Sequence, residues 1–300
     1  MTAQRRRPAG AGTALLAVLG LTAVLGGCGG AGAAQEPGGG EALARVRGAA
    51  DRLVRAGGAG TRTAMEVDSG GTRVTIRSRG HYDFAGRRAE LTVLLPKDVS
   101  GVREHRPVKE LLAPGALYMK NRGEGVPAGK WVRVDTSGLP DGNLVTGGAT
   151  DPLLAAGLLR GARSVTYVGA EDLAGTRVRH YRGSADLVRA AALLEGADRA
   201  SLESAARGFA RRSVPFDAYL DEQGLLRKVR HRFAVRDAAG ANGGGAGRPG
   251  ASGASPSPSA GPAHRALSVA STTLLFDFGR APAVRLPAAG DIYTGRIAEE

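Results

Sequence analysis

One cysteine, Cys28, and five histidines, His81, His105, His180, His231 and His264, are the side chains best suited to nucleophilic, redox or metal chemistry. A lone thiol cannot close a disulfide within the chain, nor furnish the set of thiolates that a zinc or iron–sulfur centre needs. The histidines are scattered, and none of their spacings places two imidazoles on one metal. Carboxylates occur as neighbours at Glu171-Asp172, Asp221-Glu222 and Glu299-Glu300. A catalytic acid and base must converge across a cleft, which adjacent residues on a turn do not do. Gly245-Ala246-Gly247-Arg248-Pro249-Gly250 has the letters of a dinucleotide-binding loop, but it follows no strand pattern, opens no helix pattern and contains a proline. No Walker, HExxH, GxSxG or SxxK sequence is present. The expectation is a protein that is not an enzyme, with no catalytic residue, metal ligand or cofactor.

The chemistry open to Cys28 is set by what precedes it. Arg5, Arg6 and Arg7 lead into an apolar run from Ala14 to Leu25 that ends at Leu25-Gly26-Gly27-Cys28. A charged start followed by a short apolar run is a secretory signal. The run is too short to span the hydrocarbon core as a helix, which takes roughly 20 apolar residues. Its last residues resemble the bacterial lipobox, which implies cleavage before Cys28 and a diacylglyceryl group, with palmitate-type chains, on the thiol. Residues 1–27 are therefore expected to be a signal peptide, and Cys28 the lipidation site. The chain would be a lipid-anchored protein on the extracytoplasmic face of the cell membrane.

Without residues 1–27 the chain keeps 38 basic and 28 acidic side chains, a formal charge of +10. Such charge beside a bilayer favours anionic headgroups. Nucleic acid is not expected as a partner, because export separates the two. The basic residues are also dispersed, and 13 aromatic side chains in the whole chain offer no stacking platform.

The elements around these residues follow from periodicity. Residues 28–40 are glycine-rich and read as a flexible tether. Residues 41–56 put Leu43, Val46, Ala50, Leu53 and Val54 on one helix face, with Gly57 and Gly58 as the stop. A period of two then joins Met65 with Val67, Val74 with Ile76, and Leu91 with Val93 and Leu95. Ser69-Gly70-Gly71 is read as the turn between the first two runs. Further strands are expected at ALYMKN, KWVRVDT, SVTYVGA, TRVRHYRG, PFDAYLD, LLRKVRHRFAV and LSVASTTLLFDF. Asp151-Pro152 opens a second helix that ends at Gly161, and residues 184–210 carry a third helical stretch with Gly196 as a break. Helices and strands in this order give an α+β domain with an antiparallel sheet covered on one side. Residues 236–265 are low in complexity, cannot form a core, and are expected to be a disordered insertion within the domain.

Four stretches in this order resemble a known family: Leu117-Tyr118-Met119-Lys120 with Gly129-Lys130-Trp131-Val132; the Asp151-Pro152 helix; Gly169 to Thr176 leading to His180-Tyr181; and Tyr219-Leu220-Asp221-Glu222-Gln223-Gly224-Leu225. Together they resemble actinobacterial lipoproteins of the LolA-like superfamily, including the mycobacterial LppX/LprG group. The resemblance implies a single domain over residues 41–297, built as a curved antiparallel half-barrel with helices covering its concave face and an apolar cavity between. It also implies that the protein binds or transfers lipid acyl chains, or, like RseB-type relatives, acts as an envelope sensory or protein-interaction module. The inner wall expected for a lipid ligand is Met65, Val67, Val74, Ile76, Leu91, Val93, Leu117, Met119 and Trp131.

Overall fold

The computed structural model describes residues 38–69, 72–96, 106–123, 125–236, 267–279 and 282–295. The signal peptide, Cys28 and all of the low-complexity insertion except Arg236 lie outside the described residues. All described elements belong to one compact unit, residues 37–300.

The helix expected over 41–56 is two helices, α1 (Gly39–Arg47) and α2 (Ala49–Ala56). They part at Gly48, where the Arg52 guanidinium packs into the space a Cβ would fill and donates to the Arg45 carbonyl. Strands β1 (Gly58–Ser69), β2 (Thr72–Asp83), β3 (Arg88–Leu94), β4 (Val108–Ala113), β5 (Ala116–Lys120) and β6 (Trp131–Asp135) follow as a meander. Then come α3 (Pro152–Leu158), β7 (Ala162–Leu173), β8 (Thr176–Asp186), α4 (Leu187–Ala192), α5 (Gly196–Gly208), β9 (Ser213–Asp221), β10 (Leu226–Val235) and β11 (Leu267–Phe276).

All eleven strands form one antiparallel sheet in the order β6-β5-β4-β3-β2-β1-β11-β10-β9-β8-β7. The sheet is open, with β6 and β7 as its edges. Laid flat it would be about 50 Å across at the usual strand spacing. The short helices cannot cover that width, so the sheet wraps around them as a half-barrel. One continuous core results, running from Leu91, Leu112 and Leu117 through Leu53, Leu154 and Leu158 to Tyr181 and Phe216.

Helix α3 starts as its sequence dictates. The Asp151 carboxylate accepts from the Leu153 and Leu154 N–H groups, with Pro152 in the first turn. Over the β1–β5 half, the cover is residues 139–150. Asp141 organises this segment by accepting from the N–H groups of Asn143, Val145 and Thr146 and from the Thr146 hydroxyl. The segment is pressed onto the sheet from behind by α5. A Cβ on Gly208 would lie 2.0 Å from the Pro140 oxygen, and one on Gly142 2.0 Å from the Ser201 oxygen.

Candidate functional site

Cross-strand register fixes which residues share the inner face. Met65 pairs with Ile76 and Val67 with Val74 on β1 and β2. Ser78 faces Val93 and Gly80 faces Leu91 between β2 and β3. Leu112 pairs with Leu117 and Glu110 with Met119 between β4 and β5. Eight of the nine residues expected on an inner wall thus point to the helix-covered side. Trp131 does not. It pairs with Lys120, so its neighbour Val132, opposite Met119, faces inward instead. Trp131 lies on the outer face, bridged to Ile292 of the C-terminal segment. A strand's side chains alternate, and the sequence run Lys130-Trp131-Val132 does not say which member of an apolar pair is inside.

The wall divides by depth. Met65, Leu91, Val93 and Leu117 are fully buried under the 139–150 segment and the helices. Val67, Ile76, Leu95 and Met119 pack against the core but stay half-buried, and Val74, across from Val67, is half-buried as well. A Cβ on Gly148 would sit 3.4 Å from both Ile76 and Val93, so the 139–150 segment marks the inner limit of this strip. The strip lies toward the strand ends that lead into the β1–β2, β3–β4 and β10–β11 connections.

Glu110 sits beside the strip. Its neighbours across the sheet are Leu91 and Met119, it is completely buried, and neither carboxylate oxygen finds a hydrogen-bond partner among the described residues. Burial pushes its pKa up to about 8, against a smaller downward pull from Arg122. At neutral pH this is a protonated acid in an apolar wall, able to donate one hydrogen bond and accept others. Periodicity does not predict a strand here. Val108-Lys109-Glu110-Leu111-Leu112 breaks alternation because an acid faces in while Leu111 faces out and is buried.

A second polar group lies deeper. Tyr82 donates to Asp151 at 3.1 Å, and Arg87 pairs with Asp198. With Asn143 and Ser201 they line a cavity of about 20 Å³. That volume holds about one water molecule and no acyl chain. Burial first, then the neighbouring Asp198 charge, raises Asp151 to about 6, despite the N–H groups it caps.

On the outer face, His180 lies 2.8 Å from Asp217 and 2.8 Å from Glu171, the second contact being misaligned for a hydrogen bond. Burial would raise the Asp217 pKa, but hydrogen bonds from His180, Arg182 and Arg232 outweigh it and hold the carboxyl near 2. His231 is buried on the inner face between Phe216 and Phe233, and burial lowers it to about 3, so it is neutral.

No protein-family model matches the sequence, and no curated protein matches it. Solved structures do resemble the fold. Lipoprotein LppX of Mycobacterium tuberculosis aligns over 81% of this chain and 97% of its own, at 10% identity and a TM-score of 0.42. LprF of Mycobacterium bovis aligns over 85% and 100%, at 11% identity and a TM-score of 0.39. A LolA-superfamily protein of Nitrosomonas europaea aligns over 79% and 94%, at 12% identity and a TM-score of 0.32.

Proposed function

We propose that the protein is a membrane-anchored lipoprotein that binds an acyl chain, or a similarly apolar ligand, on the helix-facing side of its sheet. The observation that carries this reading is the half-buried strip Val67, Val74, Ile76, Leu95 and Met119. Apolar side chains on the covered side of a sheet are normally buried completely, because each loses about 25 cal/mol per Å² left in water. Here the strip stops short of full cover at one end of the strands. A ligand chain laid against it would supply the missing contact, at ~0.8 kcal/mol for each buried methylene. The acid of Glu110, next to Met119, would meet the ligand's polar group. In the same reading the signal-like residues 1–27 and the lipobox-like residues before Cys28 would put this site beside lipid.

The test uses residues 29–300, purified without the anchor and sprayed under native conditions. The expected spectrum contains the protein mass plus one lipid, and Ile76→Arg removes that adduct while the variant keeps its circular dichroism. A spectrum of empty protein alone, together with no uptake of a long-chain fluorescent fatty acid, overturns the proposal.

A further inference from the structure

The outer face of the sheet carries an arrangement that neither the core nor the inner site requires. One row of the register runs Tyr219, Lys228, Leu274, Arg62, Arg79, Thr92, Lys109, Lys120, Trp131, each residue paired across to the next. At ~4.8 Å per strand it follows the convex outer face for roughly 40 Å of arc. The row contains five cations and no acid. Arg62 stands directly opposite Arg79, and Lys109 directly opposite Lys120. Like charges so placed destabilise a sheet. In the adjoining row Arg77 has no acidic partner among the described residues. The acids Glu66 and Asp217 of that face are taken by Arg230 and by Arg182 and Arg232, and Glu90 lies one row away, opposite His81.

Apolar surface is set among these charges. Leu94 is 44% exposed, and with Ala64 and Leu274 it lines a hollow of about 320 Å³ between Arg62, Arg77 and Arg79. Aromatic rings close both ends of the row. The Lys228 ammonium lies 4.5 Å from the Tyr219 ring and the Lys120 ammonium 5.5 Å from that of Trp131. Cations for phosphate, apolar side chains between them and amphipathic rings at the margins are the composition of surfaces that sit at a bilayer interface. A soluble linear polyanion would use the cations but would have no use for Leu94 or the hollow.

We infer that this basic, apolar-centred row on the outer face is a docking surface for a membrane rich in anionic phospholipid. It is separate from the ligand site and does not depend on it. Docking relieves the opposed Arg62 and Arg79 charges by placing phosphates between them.

The experiment is co-sedimentation of residues 29–300 with vesicles of phosphatidylcholine alone and of phosphatidylcholine with phosphatidylglycerol. Binding is expected only to the anionic vesicles and to weaken with salt. Arg62→Glu with Arg79→Glu, and independently Lys109→Glu with Lys120→Glu, should each weaken it about twentyfold or more, at roughly fivefold per cation removed. Arg55→Glu with Arg207→Glu, which removes the same charge from exposed positions on α2 and α5, should change it less than about threefold. Equal losses in all three variants, or binding indifferent to phosphatidylglycerol, overturns the inference. So does heparin binding through Arg62 and Arg79 while vesicles fail to bind. Thermal unfolding confirms that each variant is folded.

Discussion

Glu110 holds a carboxyl with no partner among the described residues between Leu91 and Met119, where an aliphatic side chain would pack without penalty. Its folded pKa of about 8 stands well above the ordinary 4.5 of the unfolded chain. As pH rises from 4.5 to 8 the unfolded chain ionises and the folded chain does not, so this residue draws stability away across that window and no further above it. His231 acts oppositely. Its folded pKa of about 3 means that stability is lost as pH falls below 6.5, where the unfolded imidazole protonates. The two slopes oppose each other in the parent protein only between pH 4.5 and 6.5, and the difference between variant and parent isolates Glu110. Glu110→Leu is expected to stabilise by about 2 to 4 kcal/mol at pH 8 and by much less at pH 5, read from urea unfolding. Equal effects at the two pH values would mean that the carboxyl is not a buried acid. If it serves the ligand, the same variant should bind fatty acid less well while unfolding later, a combination that a merely structural residue does not produce.

Among the elements, strands and capped helices were legible and the cover over β1–β5 was not. Met65-Val67 and Val74-Ile76 announce one-sided strands by alternation alone, and Asp151-Pro152 announces a helix start by its cap. The 139–150 segment has no period, because Asp141 and glycines at unusual backbone angles, rather than a repeating face, give it its shape. Strand β4 was hidden for the reason that makes it interesting, an acid turned inward and a leucine outward. Trp131 shows the remaining ambiguity: an apolar residue at a strand end can serve either face, and here it stands half-buried on the outer face, its backbone bridged to Ile292. Packing of α5 on the cover can be tested at one glycine. Alanine in a helix is favoured over glycine by up to ~1 kcal/mol. At Gly208, however, the added Cβ would lie 2.0 Å from the Pro140 backbone, so Gly208→Ala should destabilise, by about 2 kcal/mol. Gly138→Ala, with nothing within 4 Å, should stay within about 0.5 kcal/mol. Equal melting temperatures for both variants would show that α5 does not clamp the segment.

At the scale of the whole molecule, the acyl anchor and the outer face would hold the protein by different forces, and the two can be separated. Cys28→Ser is expected to move the full chain from detergent-extractable to salt-extractable membrane association, followed by fractionation and immunoblotting. Retention that resists high salt would argue against Cys28 as the anchor. The open sheet has a further consequence. A half-barrel that stays open to admit helices leaves two rows of backbone amides and carbonyls facing outward, each a template on which another chain could grow. At β6 the C-terminal segment acts as a stopper: Ile292 bridges Trp131, and the Tyr293 N–H donates to the Trp131 carbonyl at 2.8 Å. At β7 the register slips twice, between Ala162 and Ser164 and between Tyr167 and Gly169, so that no long straight edge is presented. Ile292, Tyr293 and the irregularities of β7 thus leave neither described edge of an unclosed sheet as a long, free template for strand addition.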